Sequence, residues 1–256
     1  MIFSQPVFAQ SPENSLPLAN EYYANGEYEK AIDLYEKIMK NKNYVLVVHE
    51  DYFDALQKLE KYDAAEKYIK KLIKEKPQLY YLQIDYVLLL KRLKKNADAD
   101  KILNEMVGKV KSNVNEVRYV LNDLLTNGLY ELAEKMLLEA QNETKYNFAL
   151  DLANVYSFQG KTEKMLDAYM DYVDADENNL DLVLNTLPYK LTTNEDYERL
   201  EPVVFKRVQK SPEKIAYAEI LVWIYLQKQE FYNAFLQAKA IDKRKNLEGS
   251  KIFEIE

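Results

Sequence analysis

The sequence has no cysteine and one histidine. Disulfide staples, thiolate nucleophiles and cysteine-based zinc sites are therefore excluded, as are His-based triads and multi-histidine metal sites. Missing cysteine leaves the compartment open, because exported proteins can also do without it. Glycine occurs 5 times and proline 7 times in 256 residues, too rarely for a turn-rich β architecture. No apolar run approaches the roughly 20 residues that span a bilayer. There is no basic excess either: the formal charge is −7, and lysines alternate with acids, as in Glu66, Lys67, Lys70, Lys71 and Glu75. Nucleic acid, which requires a concentrated basic surface, is not an expected partner. No Gly-rich phosphate loop or nucleophile elbow occurs. Asp171, Asp174, Asp176 and Glu177 cluster at a predicted helix end without the spacing or central glycine of a calcium loop, and read as a solvated acidic loop. His49 reads as a structural histidine, with a lone pH-sensitive contact as the alternative. No catalytic residue, cofactor or metal is expected, and the chain does not read as an enzyme.

What the chain does have is helix-favouring composition, rich in Lys, Glu, Leu, Ala and Tyr, and a period. Steps of 34 residues carry Ala31 to Ala65, Ala99 and Ala133; steps of 32, 35 and 34 continue to Met165, Leu200 and Ala234. Three residues before these sites stand Tyr28, Tyr62, Asn96, Tyr130, Thr162, Tyr197 and Phe231; four after them stand Tyr35, Ile69, Leu103, Leu137, Tyr169, Val204 and Ala238. Positions i−3, i and i+4 share one face of a helix, so a small residue flanked by larger ones describes a helix pressed closely on a partner. Pro77 and Pro212, twelve residues past their sites, mark helix ends. Gly26, Gly128 and Gly160 fall between the two helices of a repeat, where a left-handed turn residue is wanted. An isolated hairpin cannot bury such a face, so neighbours must stack.

This frame resembles the tetratricopeptide-repeat (TPR) family. The first repeat carries it in Leu18, Ala19, Tyr22, Gly26, Tyr28, Ala31 and Tyr35, and the fifth in Leu152, Ala153, Tyr156 and Gly160. Phe53, Val87 and Leu121 depart from it at the small position of the first helix, and Pro188 inside the sixth first helix is expected to kink or delay it. The resemblance implies an all-α fold, a right-handed α-solenoid of about seven TPR-like hairpins over residues 12–246. Residues 1–11 form a tail in which Val7-Phe8-Ala9, then Gln10, resembles the end of a bacterial export signal; a plain cytoplasmic tail is the alternative. A periplasmic or otherwise exported location is favoured, because the Tyr-, Asn- and Lys-rich style resembles exported TPR proteins of Bacteroidota. Residues 247–256 read as the start of a further, truncated helix, and the last complete hairpin lacks an obvious cover.

In TPR arrays the first helices line a groove that takes peptides. By frame, the resemblance places there Asn20 and Tyr23; Glu50, Asp54 and Gln57; Ile84, Leu88 and Lys91; Arg118, Asn122 and Leu125; Asn154 and Ser157; Asn185 and Tyr189; and Glu219 and Trp223. Asn20, Asn122 and Asn154 suit pairing with a peptide backbone, since an amide both donates and accepts. The family's carboxylate clamp is matched only at Arg118 and Asn122, with Asp151 where an asparagine belongs. The implied function is a non-enzymatic protein-interaction scaffold holding a protein or peptide partner. The alternatives are a structural spacer that makes contact through its ends and a glycan-binding surface protein using its 22 tyrosines, though most tyrosines fall in packing columns. The partner's identity, the pathway and the oligomeric state stay open.

Overall fold

The structure, a computed structural model, describes residues 12–245; the readings of residues 1–11 and 247–256 lie outside the described residues. Among the described residues there are fourteen α-helices and no strand. They follow one another as helix–turn–helix pairs: α1 (Pro12–Ala24) with α2 (Tyr28–Ile38), α3 (His49–Lys58) with α4 (Tyr62–Glu75), α5 (Tyr80–Arg92) with α6 (Asn96–Val110), α7 (Val114–Thr126) with α8 (Tyr130–Thr144), α9 (Ala149–Phe158) with α10 (Thr162–Ala175), α11 (Leu180–Lys190) with α12 (Asn194–Lys210), and α13 (Ile215–Gln227) with α14 (Phe231–Lys245). Two compact units divide after Met106. In the first, α1 packs on α2, α2 on α3, α3 on α4 and α4 on α5. In the second, the run of neighbours is α7, α8, α9 and α10, then α12, α13 and α14. Within each unit, packing in chain order is how the apolar faces leave water, as a TPR-like stack requires.

The columns account for that core. Every residue of the alanine column, Met165 and Leu200 included, is at most 4% exposed, and every residue four places later, from Tyr35 to Ala238, at most 5%. A small residue there lets the second helix sit close to the first; the larger one a turn later fills the space beyond it. Phe53, Val87 and Leu121 are buried as well, so the departures from the small position are filled by packing. The aromatic column three places earlier is only half-buried at Tyr28, Tyr62, Tyr130 and Tyr197, and Phe231 is exposed.

One turn closes almost every pair. Gly26, Gly128 and Gly160 adopt φ of +75°, +69° and +67°, and Glu60, Lys94 and Gln229 take the same left-handed place at +57°, +60° and +60°. In each case the next residue's N–H reaches back five residues in the Schellman pattern, as from Glu27 to the Tyr22 carbonyl and from Lys61 to the Leu56 carbonyl, both 2.8 Å. The sixth pair differs. There Thr193 caps α12, its hydroxyl accepting from the Asp196 N–H at 3.3 Å while the Asp196 carboxylate accepts from the Thr193 N–H at 3.0 Å. The delay expected from Pro188 does not occur: α11 begins at Leu180 and the proline falls in its last turn. A proline there removes few helical hydrogen bonds, and the helix ends two residues later.

Polar latches join some neighbouring hairpins. Glu66 on α4 accepts from Lys95 at 3.0 Å, from Tyr86 at 3.0 Å and from Lys70 at 2.5 Å. The lysine hydrogen bonds hold its carboxyl down to about 2. Glu134 on α8 accepts from Lys161 at 2.8 Å and Lys164 at 3.0 Å; burial works against it, but those lysines still bring it to about 2. Glu201 on α12 accepts from Lys228 at 2.6 Å and Tyr225 at 3.1 Å. The acidic cluster near the end of α10 is also tied down rather than loose: Arg207 lies 2.7 Å from Asp171 and 3.9 Å from Asp174, and Lys214 also pairs with Asp174. Asp176 caps the short 3-10 turn after α10, accepting from the Asn178 N–H at 2.9 Å.

Candidate functional site

In the first unit, α1, α3 and α5 bring their side chains to one depression of 340 Å³. Tyr23, Glu50, Asp54, Gln57 and Leu88, all placed there by the repeat frame, line it. His49, Asp51, Phe53, Asp85 and Arg92 join them. The Tyr23 hydroxyl donates to Asp54 Oδ2 at 2.7 Å, linking α1 to α3. Tyr35, from α2 behind, donates to Asn20 Oδ1 at 3.0 Å and to Asp51 Oδ2 at 3.2 Å. Burial, and then the neighbouring carboxylate, pushes both phenols up, so they stay protonated donors. Asn20 is thus engaged as an acceptor through its carbonyl oxygen.

His49 forms part of the floor at 4% exposure. Its Nε2 is 2.9 Å from Asp85 Oδ2 and its Nδ1 is 3.2 Å from the Tyr68 hydroxyl. In the neutral ring the Nε2–H donates to Asp85, an acceptor only, and Nδ1 accepts from the Tyr68 hydroxyl. Phe53 and Tyr68 stack on the ring with centroids 5.7 Å away. The histidine is structural, as the sequence indicates, yet it also fixes the position of a groove carboxylate. Against four lining carboxylates the only Lys or Arg is Arg92, which donates to Gln57 Oε1 at 3.4 Å. Such a surface offers acceptors to cationic groups. Among the described residues no group of three or more His, Cys, Asp or Glu side chains is placed to hold a metal ion.

Two residues in this unit stand apart from the depression. Ile84 is fully buried and belongs to the core, not the groove. Lys91 is exposed, but Arg92 is the one lining the depression. The cause is α5 itself, apolar nearly all round from Tyr80 to Leu90, so hydrophobic pattern does not mark its open face. The signal was Asp85, a lone acid within that run.

The groove positions of the second unit are not gathered in this way. Arg118 donates to the Tyr146 hydroxyl at 3.1 Å, lies over that ring at 5.3 Å and stands 3.6 Å from Asp151. Burial, outweighing Arg118, pushes the Asp151 carboxyl up. The aspartate at the clamp's asparagine position therefore engages the arginine that would grip a ligand. Asn122 is exposed, as are Asn185 and Tyr189, the last at 85%. Asn154 and Leu125 are half-buried, and Ser157 accepts from Lys190 at 3.2 Å. Trp223 is half-buried, its ring 5.7 Å from Tyr197, and Glu219 pairs with Lys245 at 3.0 Å. No described helix is long and apolar enough to cross a membrane.

No family model matches this chain, and no curated protein matches it. It is similar to several solved structures. One is a tetratricopeptide repeat protein from Parabacteroides merdae, at 12% identity and TM-score 0.37, covering 96% of this chain and 98% of that one. A second is the C-terminal part of a TPR repeat-containing protein from Cytophaga hutchinsonii, at 15% identity and TM-score 0.33, covering 94% and 99%. A third is Naa15/Naa10 bound to HypK-THB, at 15% identity and TM-score 0.36. The likeness takes in 95% of this chain but only 38% of that one.

Proposed function

We propose that this chain is a non-enzymatic scaffold that holds a protein or peptide partner on the face built by its first helices. The first three hairpins supply the principal contact. The observation that carries this reading is the convergence of Tyr23, Glu50 and Asp54 with Asp51 and Asp85 on one depression. These residues come from three successive first helices. Tyr23, Asp51, Asp54 and Asp85 are already held in place by hydrogen bonds, which lowers the ordering cost on binding. Four carboxylates facing one space favour a segment that presents lysine or arginine.

The test is a peptide array of lysine- and arginine-bearing segments beside acid-bearing ones of matched length. The intact chain is expected to prefer the basic set by about tenfold, a difference of about 1.4 kcal/mol. Glu50→Lys with Asp54→Lys should remove that preference, while Arg118→Glu with Asn122→Ala should leave it in place. Equal retention of both sets by the intact chain would overturn the reading. So would capture unaffected by the double lysine variant, which would favour contact through the ends of the array.

A further inference from the structure

Two hairpin turns carry an asparagine directly before their left-handed glycine: Asn25–Gly26 closes the first hairpin and Asn127–Gly128 the fourth. With no Cβ in the path, a glycine nitrogen is the backbone nitrogen least hindered from attacking the side-chain amide that precedes it. The turn at Gln159–Gly160 differs, since a glutamine has to close a six-membered ring instead of a five-membered one. Both asparagines are exposed. A side chain begun at either glycine would meet nothing within 4 Å, so water has access to both turns.

The two turns match in their backbone. The Asn25 N–H reaches the Glu21 carbonyl at 3.0 Å and the Asn127 N–H the Asp123 carbonyl at 3.1 Å. The Gly26 N–H reaches the Tyr23 carbonyl at 3.0 Å and the Gly128 N–H the Leu125 carbonyl at 3.1 Å. They differ in the side chain that would react. The Asn127 amide folds back on α7, its Nδ2 donating to the Asp123 carbonyl at 2.9 Å. It must give up that bond before Cγ can turn towards the Gly128 nitrogen. The Asn25 side chain makes no hydrogen bond among the described residues.

We propose that Asn25 is a site of spontaneous backbone modification and that the fold shields Asn127 from the same reaction. Gly26 gives its amide proton to solvent and its nitrogen bonds to Asn25 Cγ; the Cγ–Nδ2 bond breaks and ammonia leaves, closing a succinimide. Water then adds to one of the two ring carbonyls and opens the ring. The product is a carboxylate on an aspartyl or isoaspartyl residue at position 25, and water is the only reagent consumed. The new charge stands at the C-terminal end of α1, where the helix dipole is negative and the last turn carries no basic residue. In the isoaspartyl form the backbone also gains an atom inside the turn that joins the Glu27 N–H to the Tyr22 carbonyl. Tyr23, which links α1 to Asp54, lies in the same turn of chain.

Incubating the intact chain in mildly alkaline buffer, then mapping its peptides by mass with an isoaspartate assay, reads both sites at once. In folded protein Asn25 is expected to convert about fivefold faster than Asn127, a difference of about 1 kcal/mol. In denaturant the two rates should converge. Equal rates in folded protein, or faster loss at Asn127, would overturn the proposal. So would a difference that persists in denaturant, since it would belong to the flanking Ala24 and Thr126 and not to the fold. An Asn25 that stays intact in folded protein, under conditions that convert the denatured chain, would overturn it as well. Asn25→Asp supplies the charge of the product directly, and hydrogen exchange in the last turn of α1 should rise about threefold. Unchanged exchange in that variant would sink the weakening of α1.

Discussion

Tyr35 in the first unit and Tyr169 in the second stand at the same place in their hairpins, and both are fully buried. The Tyr35 hydroxyl reaches Asn20 and Asp51; the Tyr169 hydroxyl has no hydrogen-bond partner among the described residues. The same residue thus works in two ways. In the first unit it wires the second helix to carboxylates at the groove. In the second it fills space, and its hydroxyl is a burden, since burial alone pushes that phenol up. The lesson is that packing columns are interchangeable between units while polar wiring is not. The groove follows the wiring.

Removing the two hydroxyls should break the symmetry most sharply. Tyr35→Phe is expected to destabilise the first unit by about 2 kcal/mol, because a hydrogen bond to a charged acceptor is lost and its partners keep their desolvation cost. Tyr169→Phe should fall within about 0.5 kcal/mol of the parent or be stabilising. Denaturant melts followed by hydrogen exchange in α1–α3 and in α9–α11 read both. Equal losses in the two variants would erase the distinction.

Acid should act on both units through their latches, and so sharpen the contrast with the hydroxyl pair. Glu66 and Glu134 carry carboxyls lowered from 4.5 to about 2. Their contribution is therefore complete above about pH 4.5 and is lost as pH falls through about 2. Melting temperature should decline across that window, and Glu66→Gln with Glu134→Gln should flatten the decline. A decline of equal slope in the double variant would assign acid sensitivity to other groups.

The smallest effects belong to the turns. Gly128→Ala places a side chain at φ +69° and should cost the second unit about 1 kcal/mol. Glu60→Gly relieves the same strain in the first unit, and after the entropy cost of glycine in the unfolded chain should gain a few tenths of a kcal/mol. Thermal melts of the two single variants check the opposite signs.

Much of the fold was legible before any coordinates. The alanine column and the column four places on mark the buried seam of every second helix, because close helix contact constrains residue size. Pro77 and Pro212 follow the ends of α4 and α12 by two residues. Glycine marked only three of the six left-handed turns; Glu60, Lys94 and Gln229 do the same work, and a charged or amide residue there carries no compositional sign. The candidate site was half legible. Tyr23, Glu50 and Asp54 from the repeat frame line the depression, whereas Ile84 lies in the core, because the uniformly apolar α5 hides its open face. The pairing of His49 with Asp85 and with Tyr68 depends on contacts across 36 and 19 residues of sequence, and no local spacing encodes it. Arg118 looked available to a ligand only because Tyr146 lies in a connection the repeat frame does not describe.

The latches carry one more implication. Glu66, Glu134 and Glu201 recur at every second hairpin, each meeting a lysine that lies 27 or 29 residues ahead. The hairpins between them have Asp100 and Leu166 at that column. The natural module of this array is therefore a doublet of hairpins. Removing a single hairpin that supplies Lys95, Lys161 or Lys228 would take away the lysine that answers the glutamate before it, whereas removing the first hairpin would leave all three pairs in place.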